Sequence, residues 1–168
     1  MVMAICAKLI QLGVTDRVVH LYDTFEGMTK PTADDVFIQT GATPDLSNPN
    51  VLVRSPLHQV KHNISLIGYP AELLRFHVGD ICQVGTEDVP VKIAFLRLDT
   101  DWYESTRFEL EIFAPKVSPN GIITQDDYNW WNGATKAVNE YLEKHNPSLK
   151  FNHLSPHGVW WVIPAACA

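Results

Sequence analysis

VKIAFLRLDTD, residues 91–101, runs mostly apolar from Val91 to Leu98 and then turns acidic at Asp99-Thr100-Asp101. A short apolar run bounded by polar turn residues reads as a strand. Downstream, Glu104 to Phe113 has helical periodicity and is closed by Pro115. Gly121 to Thr124 (GIIT) reads as the next strand and ends on Asp126-Asp127. Ala134 to His145 reads as a helix with Val138, Tyr141 and Leu142 facing inward. Leu149 to Leu154 and Val159 to Ile163 follow as strands with no room for a helix between them, so they should pair antiparallel at one edge.

The same alternation extends upstream. Val2 to Leu12 reads as a helix closed by Gly13, and Arg17 to Tyr22 (RVVHLY) as a strand ending at Asp23. Thr29 to Asn50, rich in Pro, Asp and Thr, reads as a loop with a short helix at Ala33 to Thr40. Ser55-Pro56 predicts a helix start, with Ser as cap and Pro in the first turn. Leu57, Val60, Ile64 and Ile67 then mark its apolar face and Gly68 its end. Leu73 to Val78 is a further strand, ending at Gly79-Asp80. Strands alternating with helices predict an α/β fold around a parallel sheet, in one domain spanning residues 1–168.

Composition narrows the function. The chain has 168 residues, 46% hydrophobic and 19% charged, so it can build a core. Thirteen Lys and Arg face nineteen Asp and Glu, and no basic run occurs, which argues against a nucleic-acid partner. The apolar run Val2 to Ala7 is too short to span a membrane and lacks signal-peptide flanks. Cys6, Cys82 and Cys167 show no metal-ligand spacing and read as reduced thiols of a cytoplasmic protein.

Six acids stand at four strand ends: Asp23, Asp80, Asp99, Asp101, Asp126 and Asp127. Asp after a strand often only makes an Asx turn or caps a helix, and Asp101 stands where it could cap the helix at Glu104. Yet ligands of open α/β sheets bind outside the carboxyl ends of strands. Asp99, Asp126 and Asp127 end strands expected to be neighbours, roughly 4.8 Å apart. Carboxylates that close raise each other's pKa unless a cation intervenes, and an all-oxygen set suits Mg²⁺ or another hard divalent cation. Asp23 stands where an acid accepts hydrogen bonds from a nucleoside ribose, with Asp80 near the adenine. Trp102, Trp130 and Trp131 follow the acids and read as walls of a substrate site, while Trp160 and Trp161 read as strand packing. His20 and His77, inside strands, read as structural.

These stretches resemble the macrocin O-methyltransferase (TylF-type) family of sugar methyltransferases. The matching motifs are LYDTFEGM (21–28), GYP (68–70) leading to Gly79-Asp80, LRLDTDWYEST (96–106), PKVSPN (115–120), Asp126-Asp127-Tyr128 and GATKAVNEYL (133–142). The resemblance implies a Rossmann-like class I methyltransferase fold that uses S-adenosylmethionine to methylate a hydroxyl of a sugar or glycosylated natural product. It implies that Asp99, Asp126 and Asp127 ligate Mg²⁺ and that Asp99 or Asp101 is the catalytic base. Asp23, Phe25 and Asp80 would hold the cofactor.

The resemblance also carries two departures. The family places a strand, a Gly-containing turn and a lid before the first helix, whereas this sequence opens on that helix. The domain is therefore expected to be N-terminally incomplete. Its sheet should be altered or gapped between the strands at Arg17 and Val91, or the gap filled by another subunit of a homo-oligomer. Second, Asn129 stands where the family has Gly, which should alter the loop after the Asp pair. Two rival readings remain open at this point: a metal-dependent glycosyltransferase-like nucleotide-sugar binder using Asp99-Thr100-Asp101, and a non-catalytic partial methyltransferase domain.

Overall fold

A computed structural model describes residues 1–48 and 53–165. In chain order come α1 (Val2–Gln11), β1 (Val19–Asp23), α2 (Leu57–Ser65), β2 (Leu74–Val78), β3 (Ile93–Leu98), α3 (Tyr103–Ile112), β4 (Val117–Gln125) and α4 (Asn132–His145), with only short 3-10 turns between β2 and β3. Strands β5 (Asn152–Ser155) and β6 (Gly158–Val162) follow α4.

The strands form two sheets. One is the parallel pair β1-β2, and the other has the order β3-β4-β6-β5. Within the second, β3 and β4 are parallel, while β6 runs antiparallel to both β4 and β5. The antiparallel edge hairpin therefore forms as expected, because two residues between the strands leave no crossover. Among the described residues, β1 bonds only to β2 and β3 only to β4. The sheet is thus divided between β1 and β3, and Phe95 on β3 is 43% exposed.

Two cores correspond to the two sheets. Helices α1 and α2 cover one face of β1-β2, where Cys6, Ile64 and Tyr69 are buried against Leu21 and Phe76. The larger core packs Leu98, Leu110, Ile123, Val138, Val159 and Trp161 between the four-stranded sheet and α3 and α4. Tyr22 of β1 and Ile81, in the turn after β2, join it. On the opposite face of β1-β2 from α1, His20 Nδ1 lies 3.0 Å from His77 Nε2, and both rings stack with Tyr22. These histidines pack within the fold.

Three local expectations need correction. No α-helix forms over 33–40. Instead Asp35 bonds back to Thr32, and Phe37 makes an isolated bridge to Trp131. Ser55 does not cap α2; Pro56 occupies the cap position and makes no side-chain cap bond. Ile67 lies past the end of α2, although it still packs on the α1–α2 core. Cys6 and Cys82 are free thiols, while Cys167 lies outside the described residues. No helix among the described residues is long and apolar enough to cross a membrane.

Candidate active site

The parallel registers carry four acids to the ends of β3 and β4. Leu98 pairs with Gln125, so Asp99 and Asp126 emerge side by side. Arg97, on β3, bridges them: Nη1 donates to Asp99 Oδ2 at 2.6 Å and Nη2 to Asp126 Oδ2 at 2.5 Å. The sequence reading missed Arg97, because a cation inside an apolar run carries no sign of which carboxylates it will meet.

Asp101 is not the cap of α3. Its φ of +66° turns it back toward the acids, and Oδ1 accepts from Trp131 Nε1 at 2.9 Å. Asp tolerates this left-handed conformation better than most residues. The Asp101 and Asp127 carboxyls lie within hydrogen-bond reach of each other. Burial, and then the neighbouring carboxylates, push both above the usual range, so the pair retains a proton.

The cap of α3 comes from the distant loop. Asp35, with 0% exposure, accepts from Tyr103 N at 2.7 Å through Oδ1. Its Oδ2 accepts from Thr32 N and Thr32 Oγ1. A buried carboxylate is tolerable here because three donors and the positive end of a helix face it.

Glu109, on α3, is also buried and accepts from Thr100 Oγ1 at 2.8 Å. Burial raises its carboxyl to about 8. A folded-state carboxyl above its ordinary value of 4.5 binds a proton that unfolding releases, so stability should fall as pH rises from 4.5 to about 8. Glu109→Gln should flatten that fall and leave the variant the more stable at pH 8. Urea midpoints at the two pH values measure this, and an unchanged slope would count against it.

Asp23 and Asp80 meet at the ends of β1 and β2, where Gly79 N donates to Asp23 O at 3.0 Å. Each uses Oδ1 locally, Asp23 on Phe25 N and Asp80 on Cys82 N, as in the Asx-turn and cap reading. Asp23 Oδ1 also accepts from Thr24 Oγ1 at 3.4 Å, and the Cys82 thiol lies within hydrogen-bond reach of the Asp80 carboxyl. Phe25 is buried at φ +57°, so its ring belongs to the interior.

Trp102 and Trp131 are also buried, with Met28, Phe37 and Leu46 packed around them, so they are core and not walls. Of the three candidate tryptophans only Trp130 is exposed. Trp161 is wholly buried, in line with strand packing. The loop after the Asp pair keeps the conformation a glycine would take: Asn129 has φ +66°, and its N–H donates to Thr135 Oγ1.

Can this site hold a metal? Among the described residues no three Asp, Glu, His or Cys converge as ligands where they stand, and Arg97 is ion-paired with both Asp99 and Asp126. The chemistry of the donors nevertheless suits a hard cation. All are oxygen, and Asp126 Oδ1 and Asp127 Oδ2 are buried without partners.

Comparison with known proteins gives this arrangement its context. The sequence model of Macrocin-O-methyltransferase (TylF) matches residues 1–162. The chain is 32% identical over 156 residues to the 8-demethyl-8-(2,3-dimethoxy-alpha-L-rhamnosyl)-tetracenomycin-C 4'-O-methyltransferase of Streptomyces olivaceus, covering 93% of this chain and 59% of that protein. It is 30% identical to the mycinamicin III 3''-O-methyltransferase of Micromonospora griseorubida, covering 88% of this chain and 58% of that one. Among solved structures, the O-methyltransferase NovP superposes with a TM-score of 0.82 at 26% identity, covering 97% of this chain and 66% of the other. This chain thus spans less than two thirds of each relative's length. With the fold, the strand-end acids and these matches in agreement, the chain belongs to the macrocin O-methyltransferase (TylF) family.

Proposed function

We propose that this chain forms the acid-lined part of an S-adenosylmethionine-dependent O-methyltransferase that acts on a hydroxyl of a sugar-containing natural product. The observation that carries the reading is the convergence of Asp99, Asp101, Asp126 and Asp127 at adjacent parallel strand ends in a member of this family. Family membership also disfavours the glycosyltransferase reading of Asp99-Thr100-Asp101.

The sulfonium of S-adenosylmethionine supplies an activated methyl group. A sugar hydroxyl is a poor nucleophile until its proton has somewhere to go. Asp101 fits the base: its carboxyl is raised above the usual range, oriented by Trp131 Nε1, and free of the ion pair that engages Asp99. A base of that kind takes a proton near neutral pH more readily than an ordinary aspartate. While no cation is bound, Asp127 beside it can share the proton.

Mg²⁺ or a similar ion, when bound, supplies positive charge that acidifies a nearby hydroxyl. Asp99, Asp126 and Asp127 would hold it, once the Arg97 side chain releases the first two. Asp23 and Asp80 each offer a carboxylate at a strand end, suited to a ribose diol or an adenine amino group. Phe25 supports that site through its backbone N–H.

The division of the sheet between β1 and β3 supports the further reading that the domain is N-terminally incomplete relative to its family. That reading bears directly on activity, because the cofactor would sit beside the same division. Calorimetric titration of S-adenosylhomocysteine, with Mg²⁺ and again with EDTA, tests the function. Micromolar binding is the expected result. A folded protein that binds no cofactor would instead be a non-catalytic partial domain.

A further inference from the structure

Beside the acid cluster lies a shallow cleft of about 260 Å³, lined by Phe37, Gln39, Thr40, Ala42 and Trp130. The cleft is built into the fold. Residues 37–42 close on themselves: Phe37 N donates to Ala42 O, and Gly41 N and Thr40 N to Phe37 O. The turn is pinned to the acid-bearing loop through Ile38 N donating to Trp130 O and the Phe37–Trp131 bridge.

The cleft is also tied to the candidate site through the backbone and through Trp131. Trp130 N and Trp131 N both donate to Asp127 O, so one tight turn separates the cleft wall from a candidate metal ligand. Trp131 stacks against Phe37 at 4.0 Å on one side and donates to Asp101 on the other. The Trp130 ring is held edge-on by Phe37 at 5.9 Å and by His157 at 4.6 Å, and it is 37% exposed.

None of the five lining residues carries a charge. A diphosphate would find no Lys or Arg here, whereas a flat uncharged ring would find an aromatic wall with one amide and one hydroxyl at its rim. We infer that this cleft is a specificity subsite for the apolar ring system attached to the acceptor sugar, with Trp130 as its principal wall. The inference rests on the methyltransferase reading for the position of the sugar, and it assigns a glycoside rather than a nucleotide-activated sugar as the acceptor.

The test is calorimetric titration of the full chain with phenyl α-L-rhamnoside, methyl α-L-rhamnoside and dTDP-L-rhamnose. Phenyl rhamnoside should bind at least about tenfold more tightly than the methyl glycoside. Trp130→Ala should abolish that preference, with folding checked by circular dichroism. Ala42→Trp, which fills the cleft from its exposed rim, should abolish it too. Equal affinities for the two glycosides would overturn the inference, as would a preference that survives both variants or tighter binding of dTDP-L-rhamnose. S-adenosylhomocysteine binding, measured separately, distinguishes the two failures. If it is absent while the Trp130-dependent preference remains, the subsite stands and only the methyltransferase reading falls. If it is present without any preference for the phenyl glycoside, the subsite falls alone.

Discussion

Gly133→Ala should destabilise the protein by about 3 kcal/mol, the upper part of the range for forcing an extra group into a packed interior. A Cβ on Gly133 would lie 2.0 Å from Asp35 Oδ1 and 2.8 Å from Tyr103 N. Neither neighbour can yield cheaply. The Asp35 carboxylate is fully buried and anchored by Thr32 on its other oxygen, and Tyr103 N is the backbone donor that Asp35 caps. In an ordinary exposed helix the same change would stabilise, because alanine is the better helix former. The sign therefore reports on the contact. For a chain of this size the melting temperature should fall by about 6–10 °C. Asp35→Ala should also destabilise, by about 2–3 kcal/mol, through its three lost hydrogen bonds. The double variant should cost less than the sum, because the clash disappears with the carboxylate. A Gly133→Ala variant as stable as the parent would refute this account of the α3–α4 junction.

Asp127→Asn is expected to act in opposite directions with and without a divalent cation. Without one, Asp101 and Asp127 hold a proton between them that unfolding would release, since both carboxyls are raised in the fold. The folded form therefore binds more protons than the unfolded chain, and stability falls as pH rises through the pair's titration. The variant removes one of the crowded charges. It should be the more stable protein at pH 9 by about 1 kcal/mol, with a shallower slope against pH. With millimolar Mg²⁺ the order should reverse. The cation would stabilise the parent through binding to the folded state and the variant far less, after a loss of at least about tenfold in affinity. Thermal unfolding of both proteins, with Mg²⁺ and with EDTA, measures all of this. Equal stabilisation of parent and variant by Mg²⁺ would remove Asp127 from the ligand set.

Both predictions show how a site is divided between short and long range. The ends of β3 and β4 could be read directly, because a change from apolar to acidic residues is written in adjacent positions. The parallel pairing followed from the alternation of strands with helices. That Arg97 would turn its guanidinium onto Asp99 and Asp126 could not be read, since Arg97 and Asp126 are 29 residues apart. The tryptophans make the same point. Trp130 and Trp131 are chain neighbours at the start of α4, yet one wall faces outward and the other is buried against Phe37 and Trp102.

The sequence by itself determined the order of elements, the acids at strand ends, the antiparallel edge and the family. Each rests on local periodicity, turn chemistry or a run of contiguous residues. Only the tertiary structure decided that Asp35 caps a helix 68 residues away, that Glu109 is buried beside the acids, and that Asp101 turns toward Asp127 instead of capping α3. The division of the sheet between β1 and β3 was already expected from the resemblance, and the structure shows it among the described residues. The physical reason is common to the other three. Burial, and the proton affinity that follows from it, depend on which distant segments exclude water from a group, and no single stretch of chain contains that information.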